Sequence, residues 1–302
     1  MFIAPAGPGA VTLGETNRMQ SWTVGDVKVT AIIEQPLEAS SRFFLPTSTK
    51  EEVAAIDWLR PHYVNEAGRL VLWVQAFVVE TPTRRIVVDT CVGNGKAREN
   101  ATFNMLQTDF LQRFEAAGFP RESVDVVLCT HLHIDHVGWN TMRVDGRWVP
   151  TFPNARYLMG RTEMEYWATQ TADDDEAIYA DSVQPVIDAG LVDAVEGGHA
   201  ICDEVRLVST PGHTPGHVSV AIESRGERAF ITGDMIHTPA QIARPEWGSY
   251  VDYDTDASTA TRRKVLAELA DGPVMVIGTH FPTPTVGSIV RDGATYRFKA
   301  KA

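Results

Sequence analysis

Cysteine is scarce in this sequence of 302 residues: Cys91, Cys129 and Cys202 are all it has. The number is odd and no Cys-x-x-Cys pair occurs, so neither a disulfide framework nor a thiolate metal site is encoded. Three buried or half-buried thiols in a reduced, cytoplasmic setting are the expectation. Also missing is any apolar run near the roughly 20 residues that cross a bilayer. Basic residues are outnumbered, 27 Lys and Arg against 39 Asp and Glu, for a net charge of −12 at pH 7. Such a surface repels phosphate backbones and anionic lipid, which disfavours nucleic acid and membranes as partners. Residues 1–18 lack the basic stretch and sustained apolar core of a signal peptide. They read as a Gly/Pro-containing arm, serving as a mobile tail, an oligomer contact or an upstream start, ahead of a single domain over residues 19–302.

Histidine is scarce too, nine in all. Three of them fall within six positions of CTHLHIDHVGW, at His131, His133 and His136, with Asp135 among them. At this composition the pattern HxHxDH arises by chance in about one such sequence in two thousand, which argues against accident.

The surrounding pattern is that of an α/β protein. WTVGDVKVTAIIE alternates like two strands about a Gly-Asp turn, and RLVLWVQAFVVET and RRIVVDT continue as strands. Residues 40–60 read as a loop and a short amphipathic segment. Leu106, Phe110, Phe114 and Ala117 have helical spacing, predicting a helix over 103–118 ended by Gly118 and Pro120. VDVVLCT is a buried strand that leads into the histidine cluster. The second half repeats this grammar: strand ARYLMG, a helical stretch over 160–190, then strands EVRLVST, HVSVAIES and RAFITGD. TDASTATRRKVLAELADGP reads as a helix capped by Thr255 or Asp256 and stopped at Gly272-Pro273. VMVIGTH is a further buried strand, and GSIVRDGATYRF a hairpin about Asp292-Gly293. The run Asp173 to Glu176 reads as a solvated face. Gly93 to Lys96 reads as a turn rather than a phosphate loop.

Positions i and i+2 of a strand share a face, so His131 and His133 can address one point. If the chain then leaves the strand, Asp135 and His136 can address a neighbouring point, which suits two metal ions better than one. Further ligand types lie just past apolar strands: His213 and His217 in LVSTPGHTPGH, Asp234 in AFITGD, and His280 in VMVIGTH. Strand carboxyl ends are where α/β sheets build sites. Gly212, Gly233 and Gly278 beside them fit a closely approaching backbone.

THLHIDH, TPGHTPGH, TGD and GTH, in this order over residues 20–298, resemble the metallo-β-lactamase superfamily. The resemblance implies a four-layer αββα sandwich of two stacked ββα-type halves. It implies one zinc held by His131, His133 and His213, and a second held by Asp135, His136 and His280. Asp234 would bridge the two ions opposite a hydroxide, and His217 would support the site without ligating. Imidazole and carboxylate ligands without thiolate suit zinc, with manganese, cobalt or iron also compatible. Asp135 is then the candidate proton shuttle.

Within that family, His133 stands where flavodiiron oxygen reductases carry Glu. The acidic charge disfavours RNA-processing members, and the hairpin ending departs from glyoxalase II-type thioesterases. No cysteine ligand of the β-lactamase kind occurs. The chain is most similar to the lactonase and methyl-parathion-hydrolase branch, which implies a hydrolase of small, largely apolar esters, above all lactones such as acylhomoserine lactones. An aryl phosphotriester or carboxylester hydrolase is the close alternative, and a non-haem iron oxidoreductase a more distant one. A homodimer is implied by resemblance only. Acylhomoserine lactonases place a tyrosine three residues after the bridging aspartate, and this chain has His237 there, either a hydrogen-bond donor to substrate or a packing residue. Phe43, Phe44, Trp139, Trp247 and Phe281 are candidate walls of a hydrophobic pocket. Met159, Met164 and Trp167 are expected to pack.

Overall fold

Burial along the strands has a period of two and sorts side chains between two cores. In β4 (Arg69–Glu80), Leu72, Val74, Ala76 and Val78 enter one core, and Phe77 and Val79 enter the other. β5 (Arg85–Val88) and β6 (Val126–Leu128) divide in the same way, with Val87 and Val127 on one side and Ile86, Val88, Val126 and Leu128 on the other. β13 (Glu227–Ile231) and β14 (Val274–Ile277) follow suit, Phe230 and Val276 facing away from Ile231 and Ile277. One core holds strand residues alone, drawn from both large sheets. The other includes Phe110 and Phe114 of helix Phe110–Ala116 and Val265, Leu266 and Leu269 of helix Thr255–Leu269. Two sheets therefore pack face to face with helices outside each, the αββα sandwich expected.

A computed structural model describes residues 4–5 and 19–301. The first sheet has the order β1 (Ala4–Pro5), β3 (Val27–Ser40), β4, β5, β6, β9 (Arg156–Gly160), β10 (Val192–Val195), with β2 (Gln20–Val24) beside β3. The second runs in sequence order: β11 (Val205–Ser209), β12 (Val218–Ser224), β13, β14, β15 (Val286–Asp292) and β16 (Thr295–Ala300). β7 (Thr141–Val144) and β8 (Arg147–Pro150) form a separate hairpin. β5 pairs parallel to β6, and β13 parallel to β14, so their carboxyl ends open toward one edge. Apart from the bridge of Ala4 and Pro5 to β3, the proposed arm over 1–18 lies outside the described residues.

Several boundaries differ from expectation. The helix predicted over 103–118 is confined to Phe110–Ala116. Met105 has a left-handed backbone (φ 52°) and its N–H donates to the Lys96 carbonyl, so residues 101–105 form a turn and Leu106 lies in the irregular segment before the helix. The long helix is capped by Asp254, whose side chain accepts from the Ala257 N–H, rather than by Thr255 or Asp256. Residues 160–190 break into three α-helical pieces and one π-helical turn. Helical piece Ser41–Phe44 occupies the expected loop, and Lys50–Ala54, closed at its start by a Thr49–Glu52 capping box, falls in the expected amphipathic segment. Among the described residues, no helix is long and apolar enough to cross a membrane.

Candidate dinuclear metal centre

Each ligand-type side chain emerges just past a strand at the common edge. His131 and His133 follow β6, His213 lies between β11 and β12, Asp234 follows β13, and His280 follows β14. Helix Ile134–Val137 turns the chain immediately after His133 and carries Asp135 and His136. Glycine makes these approaches possible. Gly233 has φ 54°, and a Cβ there would lie 2.5 Å from His217 Nε2. At Gly278 a Cβ would collide with the Phe281 ring.

Three imidazoles converge in a first set. His131 Nε2 lies 3.0 Å from His133 Nδ1, and His213 Nε2 lies 2.9 Å from His133 Nδ1 and 3.2 Å from His131 Nε2. The remaining nitrogens are engaged behind them, His131 Nδ1 with Thr130 Oγ1 (3.1 Å) and His213 Nδ1 with Asp252 Oδ1 (3.0 Å). Asp252 is itself fixed, accepting from the Ser249 N–H beside the buried Arg262. Three ring nitrogens at one point cannot satisfy one another by hydrogen bonds, whereas a cation serves all three lone pairs.

A second set joins Asp135, His136 and His280. His136 Nε2 is 3.6 Å from Asp135 Oδ1, and His280 Nε2 is 3.7 Å from Asp135 Oδ2. His136 Nδ1 faces Asp89 Oδ2 at 3.0 Å, and His280 Nδ1 donates to the Trp73 carbonyl. Asp234 sits between the sets. Its Oδ2 is 3.3 Å from His136 Nε2, 3.6 Å from His213 Nε2 and 3.8 Å from His131 Nε2, and its Oδ1 is 3.1 Å from His280 Nε2. The buried Asp234 Oδ1 makes no hydrogen bond. The donor set thus fits two cations sharing one carboxylate.

Electrostatics divides the two sets. Burial, reinforced by neighbouring imidazoles, holds His131 well below the usual histidine range. Burial likewise holds His213 well down and brings His133 to about 4. Burial also opposes the charged form of His136, but Asp234, Asp89 and Asp135 outweigh it and push that ring well above its usual value. His280 is raised in the same way, Asp234 overcoming burial. Asp234 is held far down by His136, His280 and His237 against the effect of burial. Metal ligands must be neutral imidazole and carboxylate, so the first set stands ready for a cation and the second must shed protons to receive one.

His217 has no nitrogen to spare. Its Nδ1 meets the Thr210 hydroxyl and carbonyl, and its Nε2 accepts the Asp234 N–H at 2.8 Å. It holds the backbone of the shared carboxylate.

Above the two sets lies a cavity of about 390 Å³. His133, Asp135, Asp234, His237 and His280 lie on its floor, with Phe44, Leu72, Phe103, Ile178 and Tyr250 among its walls and no Lys or Arg among the described residues lining it. His237 is 2% exposed, its ring nitrogens have no hydrogen-bond partner among the described residues, and Nε2 is 3.3 Å from Asp234 Oδ2. Phe44 packs edge-on against it at 5.2 Å between centroids. Phe43 stands one layer back, packed on Tyr250.

Three expected pocket aromatics are instead in the interior. Trp139 stacks on Phe110 and donates its indole N–H to Glu34 Oε1. Phe281 packs against Tyr63 and Phe298. Trp247 is buried, and its carbonyl accepts from the Gln241 amide. The opposite correction applies to Trp167, expected only to pack: it lines the cavity and meets His133 edge to face. Asp174 and Asp175 of the acidic run also border the cavity. Met159 is fully buried, and Met164 packs on the core as expected. Sequence reasoning missed Asp89, Asp252, Glu163 and Tyr250. Of these only Asp89, at the end of RRIVVDT, carried the strand-end signal used for the others.

The profile of the metallo-beta-lactamase superfamily matches residues 72–280, and the chain belongs to that superfamily. Among its relatives is an N-acyl homoserine lactonase from a Bacillus species, 27% identical over 222 residues, which are 69% of this chain and 82% of that protein. N-acyl homoserine lactonase AiiA of Bacillus thuringiensis subsp. kurstaki is 27% identical over 192 residues, 58% of this chain and 70% of that one. The fold is shared with AidC, a dizinc quorum-quenching lactonase solved with a product (TM-score 0.77, 21% identity, 94% of this chain and 97% of that chain). It is shared as well with the hydrolase AbOPH of the beta-lactamase superfamily (TM-score 0.78, 25% identity, 94% and 97%).

Proposed function

We propose that this chain is a dinuclear zinc lactonase acting on small, uncharged, largely apolar esters, acylhomoserine lactones included. The observation that carries the reading is Asp234, reaching both ligand sets beneath a cavity with aromatic and aliphatic walls and no fixed cation. A substrate bearing a carboxylate or phosphodiester would find no arginine or lysine there. Relatives named N-acyl homoserine lactonase support the lactone.

His131, His133 and His213 would hold one ion, Asp135, His136 and His280 the other, with Asp234 between them. Bound there, such ions lower the pKa of coordinated water toward ~7 and polarise an ester carbonyl. The chain supplies the rest. Asp252, Thr130, Asp89 and the Trp73 carbonyl hold the ligand rings in orientation. Asp135 borders the cavity, where its carboxylate can carry a proton to the departing ester oxygen. His237 offers a ring nitrogen to the substrate carbonyl, and Phe44, Phe103 and Trp167 exclude water around the acyl chain. Imidazole and carboxylate ligands without thiolate favour zinc. A cytoplasmic setting fits the three unpaired cysteines, and the homodimer implied by family resemblance belongs to the same reading.

The cavity, with no Lys or Arg among its described lining residues, would also accept an aryl phosphotriester or carboxylester. Metal content measured alongside turnover of γ-lactones, δ-lactones, aryl esters and phosphotriesters decides. Two zinc ions per chain with the highest kcat/KM on lactones is the expected result. Preference for phosphotriesters would move the assignment to that class, and one iron with oxygen uptake would overturn hydrolysis.

A further inference from the structure

Behind the first ligand set lies a carboxylate with no place in the reaction just described. Glu163, on helix Arg161–Trp167, is 1% exposed. Its Oε1 accepts the Leu132 N–H at 3.2 Å and the Trp167 indole N–H at 2.6 Å. Its Oε2 accepts the Gly216 N–H at 2.9 Å. Leu132 stands between His131 and His133, and Gly216 lies three residues past His213 and directly before His217. Trp167 meets the His133 ring edge to face, with centroids 5.3 Å apart. One side chain therefore grips both loops that form the first set, one from each half of the sandwich, and the indole against its third ring.

The chemistry of the junction requires a carboxylate. The Leu132, Trp167 and Gly216 groups are N–H donors and the Thr214 hydroxyl adds a further contact, a set that a carboxylate meets by accepting on both oxygens. No Lys or Arg among the described residues takes part in its hydrogen bonding. A buried carboxylate without a cationic partner is costly to the fold. Burial pushes the Glu163 carboxyl above its usual range, and the hydrogen bonds from Trp167, Leu132 and Gly216 work against that. Glycine leaves room for the grip: a Cβ at Gly216 would strike the Glu163 backbone.

We infer that Glu163 is a positioning residue that fixes the spacing of the His131–His133 and His213 loops and so sets the affinity of the first metal subsite. The inference rests on the dinuclear reading above. In Glu163→Gln the amide oxygen can serve Leu132 and Trp167, but the NH₂ then faces the Gly216 N–H, which loosens the His213 loop in particular.

Zinc binding to the metal-free protein, followed by competition with a chromophoric chelator, should resolve two steps. The step lost in His133→Ala marks the first subsite. Glu163→Gln should weaken that step at least about tenfold, in line with other residues that orient metal ligands, and leave the second within about twofold. Wild-type affinity at the first subsite in Glu163→Gln would overturn the inference. So would equal weakening at both subsites accompanied by a lower Tm of the metal-free protein, since that is a general structural role. Should Glu163→Gln not fold, Gly216→Ala opens the same junction from the other side, and wild-type affinity there would be equally fatal. A wild-type protein that binds no zinc would sink the dinuclear reading instead, so the two failures are distinguishable.

Discussion

The two ligand sets differ in make-up, three imidazoles in the first against one carboxylate and two imidazoles in the second, and in what surrounds them. In the first, three imidazole nitrogens already meet within 2.9–3.2 Å, neutral through burial and through one another. In the second, distances to Asp135 are 3.6 and 3.7 Å, and His136 and His280 are drawn toward the protonated state by the carboxylates around them. One carboxylate stands behind a ring of each set, Asp252 on His213 and Asp89 on His136, orienting the ring and raising its basicity, and the second set adds Asp135 as a carboxylate of its own. The first set is thus biased toward the neutral imidazoles a cation needs, and the second toward protonation that a cation must overcome.

The most damaging test removes what both sets share. Asp234→Asn replaces the carboxylate within 3.8 Å of four ligand histidines by a neutral amide. We expect kcat/KM on the preferred lactone to fall at least a hundredfold, about 2.7 kcal/mol of transition-state stabilisation. Near-normal turnover with two metals bound would break the picture of a shared carboxylate.

Acidification separates the sets instead of damaging both. His136 and His280 are raised, so they take up protons at a higher pH than a free histidine, and each proton excludes the metal from that nitrogen. His131, His133 and His213 are lowered and remain neutral ligands to lower pH. As pH falls, the second metal should therefore leave first, giving an intermediate with one ion per chain. Metal content after dialysis across a pH series checks this. Simultaneous release, or loss of the His131 metal first, would invert the comparison.

How much of this was legible in the sequence depended on the kind of signal. Ligand-type residues at strand ends were readable because strand periodicity and a polar residue past the last apolar position are both local. The four layers came from the family resemblance carried by THLHIDH, TPGHTPGH, TGD and GTH, because strands apolar on both faces do not by themselves say which layer each face meets. Residues 103–109 looked helical because spacing alone cannot reveal a left-handed Met105 tied back to Lys96. The β7–β8 hairpin was there to be read, since Asp145-Gly146 is the same turn signal that marked the final hairpin. The supporting carboxylates were largely invisible: Asp252 sits in a loop and Glu163 in a helix, and nothing local ties either to a histidine dozens of residues away. The pocket was misjudged for a related reason. Aromatics near a site in sequence can point inward, as Trp139 does toward Glu34 and Phe110, while Trp167 from a distant helix faces the cavity.

The smallest effect we predict isolates the one imidazole that neither set includes. His237 touches Asp234 and borders the cavity, but Asp234 already has ligand rings on both oxygens, and the ring nitrogens of His237 have no hydrogen-bond partner. A buried donor without a partner is unfavourable, and a substrate carbonyl over the floor of the cavity would satisfy it. His237→Phe preserves an aromatic ring against Phe44 and removes only the nitrogens. Both metals should bind as in the wild type, while kcat/KM falls about tenfold, the worth of one hydrogen bond of roughly 1.4 kcal/mol. Unchanged kcat/KM would make His237 a packing residue beside the floor. A loss of metal would make it part of the first set, whose cluster with His213 and Asp252 it adjoins, and the division between the two sets would have to be redrawn with four imidazoles on one side.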